Sequence, residues 1–253
     1  MLTVHSVGLA TRQGQRPWQQ DRGVLLAFDG KRHRVAFVCD GISGAPGGEE
    51  AARICTETVE KAFLDGVNGP FGLESALEFV EGVCDRGQDA VRSGQMSIPM
   101  FSRMGTTCCG FWLRCEAEHA VWFHIGDSLL LHRTKEGALR RLGVDHTVAQ
   151  VLVQQKLIRP EAVKDHPLRS TLVLYVGCEA YEENGFDIKS FSVKAGDQLL
   201  ACTDGAVNRL TDEDIQEALT MCVDAQSACE RLLDLAEGRG EHDNMTMAAI
   251  WLQ

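Results

Sequence analysis

Three aspartates sit where an apolar run meets a turn, in surroundings suited to holding a hard cation. Asp40 follows VAFVC and Asp204 follows LLACT, and each is succeeded by a glycine; Asp243 lies in GEHDNMTMAAIW, at the start of the last apolar run. Small divalent ions take oxygen ligands, and a glycine beside a carboxylate lets a backbone carbonyl or a substrate come close. A carboxylate delivered by a buried strand is costly to keep unless something compensates its charge. Asp127, in HIGDSLLL, occupies a similar turn, although alone it reads first as a plain hairpin aspartate. No His-rich or Cys-rich cluster accompanies these acids, so Mg²⁺ or Mn²⁺ is favoured over zinc.

Asp40 belongs to the stretch that organises the rest, RVAFVCDGISGAPGGEEAAR at residues 34–53. Val35, Ala36, Phe37, Val38 and Cys39 form an unbroken apolar run, the pattern of a strand buried on both faces. A glycine-rich turn and an acidic helix start follow, an order that also suits an ordinary strand–turn–helix corner. A nucleotide phosphate is excluded as the direct occupant. The spacing G-x-x-G-x-x-G-G matches neither common phosphate loop, no lysine follows, and Asp40, Glu49 and Glu50 would repel an anion.

The remaining elements must bring the distant acids together. Strands are expected at residues 2–10, 23–28 and 34–39, with a turn at Asp29-Gly30. Two amphipathic helices follow at 49–64 and 73–91, broken at 66–72, and a polar, mobile loop is expected at 93–103. From Gly105 the pattern is an antiparallel meander, TTCCGFWLRC, HAVWFHIG and SLLLHRT. Polar helical segments at 145–156 and 159–165 precede strands at 172–176, 186–193 and 198–203. Helices at 211–222 and 225–237, the first capped by Thr211 and Asp214, lead to a closing strand at 245–252. The expectation is an α+β single domain, two mainly antiparallel sheets with helices packed outside.

Composition narrows the function classes. The chain has 253 residues and a net charge of −11, which argues against nucleic acid or an anionic membrane as partner. The N-terminal MLTVHSVGLATRQGQR lacks the layout of a secretory signal, and no apolar run approaches the roughly 20 residues a membrane span needs. Ten cysteines with no Cys-x-x-Cys pair fall mostly inside apolar patterns, as reduced thiols packing like small hydrophobes, and a cytoplasmic location is expected.

GQRPWQQD (14–21), VAFVCDGISG (35–44), GTTCCG (105–110), HIGDSLLL (124–131), DHTVAQVLVQQKLI with HPLRSTL (145–172), LLACTDG (199–205) and HDNMT (242–246) follow one another along nearly the whole chain. Each alone is weak. In this order they are specific, and the chain resembles the bacterial type 2C, metal-dependent Ser/Thr protein phosphatases. The resemblance implies a four-layer α-β-β-α sandwich over residues 1–253, with a two-metal site at one end and a flap at about 145–170. It implies two Mg²⁺ or Mn²⁺ ions and leaves room for a third. Asp40 would bridge both, the Gly41 carbonyl would ligate one, and Asp204 and Asp243 would complete the other. Asp127 matches the acid that holds a third, looser ion, and Asp21 one that acts through a metal-held water. Arg16 matches the arginine that grips the substrate phosphate.

The implied activity is hydrolysis of phosphoserine and phosphothreonine in proteins by a metal-activated water, opposing a Ser/Thr kinase, in a monomeric protein. Three positions depart from related patterns. Ile42 stands where eukaryotic members have a histidine able to protonate the leaving group, Gln20 where some have a glutamate, and Gln19 where asparagine is usual. These departures support the alternative, a catalytically silent module that binds a phosphoprotein or signalling partner. His146 is expected to cap or pack the flap, and His124 and His132 to be packing or edge residues.

Overall fold

A computed structural model describes residues 2–28, 32–66, 72–181 and 185–253. The turn expected at Asp29-Gly30 and most of the break expected at 66–72 lie outside them. Ten strands form two antiparallel five-stranded sheets. One has β1 (Val4–Arg12), β10 (Met245–Leu252), β9 (Gln198–Cys202), β6 (Leu129–Arg133) and β7 (Leu139–Leu142), in that spatial order. The other has β2 (Asp21–Phe28), β3 (His33–Asp40), β4 (Cys108–Arg114), β5 (His119–Ile125) and β8 (Asp187–Ser192).

Three apolar layers explain why the central strands are apolar throughout. Strand periodicity sends alternate side chains to opposite faces. On β3, Val35, Phe37 and Cys39 pack against α1 (Gly48–Gly66) and α2 (Leu73–Ser97), while Ala36 and Val38 enter the layer between the sheets. On β10, Met245, Met247, Ala249 and Trp251 face α5 (Asp212–Met221) and α6 (Ala225–Gly238), and Ala248, Ile250 and Leu252 face the other sheet. The result is the expected four-layer α-β-β-α sandwich. All ten cysteines are free and all but Cys222 are buried, packing as the sequence suggests. Thr211 and Asp214 form the anticipated capping box at α5.

Three segments differ from expectation. Helix α2 continues through part of the anticipated loop at 93–103, because the buried amide of Gln95 donates to the Met104 and Gly177 carbonyls. It stops before Pro99, which disfavours helical backbone at the preceding residue. Residues 172–176 make only isolated bridges, Thr147 to Leu172 and Thr106 to Val176, and Gly177 then turns the chain at φ +100°. Strand β7, LRRL, was not anticipated, since its two central residues are exposed arginines.

Candidate metal and phosphate site

The acids meet where strands leave the sandwich. Asp40 ends β3 opposite Asp21, the first residue of β2, in direct register. Its backbone is fully engaged: the Asp40 N–H donates to Thr107 Oγ1, and its carbonyl accepts from Thr107 N–H and Thr106 Oγ1. Thr107 Oγ1 in turn pairs with Ser128 Oγ at 2.7 Å, tying the β3 end to the turn that carries Asp127. Asp204 opens α4 (Asp204–Val207) directly after β9, and Asn208 donates to its Oδ2. Asp243 precedes β10 in a loop whose His242 carbonyl accepts from Gln15 N–H.

Two glycines beside the acids permit this convergence. A Cβ on Gly41 would lie 2.3 Å from the Gly48 carbonyl oxygen, and one on Gly205 would lie 2.2 Å from that of Asn244. Only the missing side chains let the helix starts close on the turns that hold Asp40 and Asp243.

Asp40, Gly41, Asp127, Asp204 and Asp243 line one cavity of about 910 Å³, together with Arg16. Six of the seven sequence-predicted residues are therefore brought together. Asp21 stands just behind, 3% exposed, with Oδ2 accepting from Thr203 Oγ1 and Oδ1 buried without a hydrogen-bond partner. Burial pushes the Asp21 carboxyl from its ordinary 3.8 up to about 7. Burial and then the surrounding acids, Asp21 first, hold Asp40 well above the usual carboxylate range. Asp127 and Asp204 are raised for the same two reasons. Desolvated acids crowding one another, with an orphaned carboxylate oxygen behind them, form a site with more negative than positive charge close by. An all-oxygen set of this kind fits hard divalent cations such as Mg²⁺ or Mn²⁺.

Arg16 is the cation nearest the acids. Its Nη2 donates to Asp243 Oδ2 at 2.7 Å, and that bond raises the guanidinium above its ordinary value. The loop that carries it is pinned by Asn244, a residue that sequence reasoning left without a role. Asn244 Nδ2 donates to the carbonyls of Gln13 and Trp18, and its Oδ1 accepts from Gln20 N–H. Gln19 and Gln20 also help hold this loop. Gln19 donates to Thr11 Oγ1 and the Arg12 carbonyl while accepting from Asp21 N–H, and Gln20 donates to Glu49.

Residues of the 145–172 segment border the cavity on another side, among them Asp145, Lys164, Arg169 and Leu172. Asp145, also overlooked in favour of its neighbour His146, is pushed by burial up to about 6. His146 braces the base of this segment: its Nδ1 accepts from Gly126 N–H, and its Nε2 lies 3.4 Å from Asp187 Oδ2. His124 and His132 are both buried; burial lowers His124 to about 4, and His132 pairs with Asp197 at 2.9 Å. They are packing residues and not edge residues.

Residues 10–245 match the family described as Protein phosphatase 2C. The chain is 30% identical over 233 residues to the serine/threonine protein phosphatase PstP of Mycobacterium tuberculosis, covering 90% of this chain and 43% of that protein. It thus spans less than half of PstP's length. A putative protein phosphatase 2C-type of Streptococcus pyogenes is 27% identical over 250 residues, covering 96% of each chain. The crystal structure of the PstP catalytic domain with two manganese ions superposes with a TM-score of 0.79 at 24% identity, covering 100% of this chain and 99% of that one.

Proposed function

Because the chain belongs to the protein phosphatase 2C family, we propose that it is a metal-dependent phosphatase that removes phosphate from phosphoserine and phosphothreonine in proteins. The observation that carries this is the meeting of Asp40, Asp127, Asp204, Asp243 and Arg16 around one cavity. In this assignment Asp40 and the Gly41 carbonyl would hold two Mg²⁺ or Mn²⁺ ions with Asp204 and Asp243. Asp127 would serve a third, looser ion, and Asp21 would act through water. Divalent ions held there would supply the Lewis acidity that activates a water towards phosphorus and the positive charge that offsets the phosphoryl oxygens.

The chain's own residues do the positioning. One Arg16 donor is engaged by Asp243, and the planar guanidinium offers further donors to a substrate phosphate. The backbone clamp on Asn244 fixes that guanidinium relative to Asp243, which orients the phosphate before reaction. Ile42 has no proton to give the departing alkoxide, so water serves there. Residues 145–170 form the flap that shapes the choice of protein substrate. The same reading places the protein in the cytoplasm as a monomer opposing a Ser/Thr kinase. Among the described residues, no helix is long and apolar enough to cross a membrane.

The rival, a catalytically silent module binding a phosphoprotein or signalling partner, rests on Ile42, Gln19 and Gln20. The two glutamines have structural work in holding the Arg16 loop, which weakens their support for it. A manganese titration with p-nitrophenyl phosphate separates the two. Metal-dependent turnover is expected, and Asp40→Asn should lower it on the order of 10²–10³-fold while the protein stays folded. Binding of a phosphopeptide without any turnover would favour the silent module.

A further inference from the structure

A second, shallower groove of about 500 Å³ adjoins the acidic cavity. Arg16, Gln20 and Ser43 line both, and so form the ridge between them. Beyond the ridge the walls change character, to Pro17, Trp18, Ala45, Pro46 and Phe101. Trp18 is 70% exposed, whereas the other three tryptophans, Trp112, Trp122 and Trp251, are buried. Its backbone is held by Asn244, so the indole stands on a pinned loop. On the facing side Gly47, at φ +93°, lies so close to the Phe101 ring that a Cβ would approach it to 2.7 Å. That ring packs onto the core below. The groove is therefore a slot walled largely by apolar side chains on pinned backbone, bordered by the guanidinium expected to hold phosphate.

We propose that this groove receives an apolar side chain (leucine, proline or an aromatic) standing within two residues of the phosphorylated serine or threonine on the substrate. The proposal rests on the phosphatase reading of the cavity and adds a substrate class to it. An extended peptide advances about 3.3 Å per residue, so a chain whose phosphate lies at Arg16 passes its neighbouring side chains over the ridge. Aromatic and proline walls favour such an occupant because they are ordered before binding, and covering the indole removes apolar surface from water. Apart from Arg16 on the ridge, the groove's one charged side chain is the acid Glu49, engaged by Gln20, which disfavours a second phosphate.

The test compares phosphothreonine peptides that differ only in having leucine or glycine next to, or two residues from, the phosphoresidue. With manganese present, the leucine peptide should show about tenfold higher kcat/KM. Trp18→Ala should collapse that ratio towards unity and leave p-nitrophenyl phosphate turnover within about twofold. Non-hydrolysable phosphonate versions provide a second readout. Since Trp18 is the one exposed tryptophan, the leucine peptide should shift the emission of the intact protein to shorter wavelength, and the glycine peptide should not. Equal rates for the two peptides, or a preference that survives in Trp18→Ala, would overturn the proposal. So would an emission shift that follows protein concentration without peptide, because it would assign the groove to a second copy of the chain. If the emission arm discriminates while no substrate is turned over, the groove stands and the hydrolase reading fails.

Discussion

Two walls of the acidic cavity differ in how tightly they are built. Asp40 stands on backbone whose N–H and carbonyl are both taken by Thr106 and Thr107, and Asp243 adjoins an asparagine that makes three hydrogen bonds to one loop. Across from them, residues 145–172 offer a seven-residue helix α3 (Val148–Gln154), a short 3-10 turn at Pro160–Asp165, and leucines 157 and 168 left 66% and 42% exposed. Two metal ions held as proposed would tolerate little misplacement of their ligands, which suits acids placed where strands end or begin. A wall that meets varied polypeptides gains from shallow packing and exchangeable side chains. The proposed function would then divide chemistry and substrate selection between different parts of one cavity.

The largest effect is expected where that rigid wall is broken by one carbon atom. Gly205→Ala would drive a Cβ to 2.2 Å from the Asn244 carbonyl and displace the Asp243 loop. Overpacking of this kind costs about 1–3 kcal/mol or more, visible in urea unfolding, and metal-dependent turnover should fall at least about a hundredfold. Unchanged turnover would mean that Asp243 is not held to its position by this contact. Asn244→Ala is milder. It removes the clamp on the Arg16 loop but no carboxylate, and should cost about 10–100-fold in kcat/KM for a phosphate ester. Ester affinity should suffer more than manganese affinity, a split that separates a positioning role from a general loss of folding.

A third test uses protons as a reporter of the same wall. In metal-free protein Asp21 is raised to about 7 and Asp145 to about 6, above the 3.8 of an unfolded aspartate. The native state therefore retains protons that the unfolded chain has already released. Their stabilising effect is complete below about pH 4 and is lost as pH rises through 6 to 7. With chelator present, stability should fall by on the order of 2–4 kcal/mol across that window. Manganese at a hundred times its dissociation constant should restore about 2.7 kcal/mol at neutral pH. A flat melting temperature from pH 4 to 7 with chelator present would show that the acids are not crowded as the geometry indicates.

The rigid wall was also the more legible in the sequence. A five-residue apolar strand ending in Asp-Gly is a local signal, and Asp40 and Asp204 both carry it. The supports are not local. Thr203 bonds to Asp21 across 182 residues, and Asn244 reaches back to Gln13, so neither spacing nor periodicity could reveal them. Misread elements have the same cause. The run at 172–176 has the β-branched composition of a strand but finds no partner beyond single bridges, whereas LRRL pairs with β6 despite its arginines. Strand preference yields to the neighbours a segment meets. The loop expected at 93–103 fails similarly, since Gln95 is polar by type yet buried by its two carbonyl partners.

The smallest effect should come from the exposed wall, and it is the one that most sharpens the contrast. Lys164 and Arg169 line the cavity from residues 145–172, far in sequence from the acids and without a place in the proposed ion site. Replacing both with alanine should leave p-nitrophenyl phosphate turnover within about twofold, because exposed charges contribute little to a small ester already held at Arg16. Phosphopeptides extend past the ester and meet this wall. Acidic peptides should therefore lose about three- to tenfold in kcat/KM, with the loss shrinking as salt is raised, while neutral peptides change little. An equal loss for the small ester would place these residues with the chemistry. The proposed division between a fixed floor for hydrolysis and a loosely packed wall for substrate choice would then have to be abandoned.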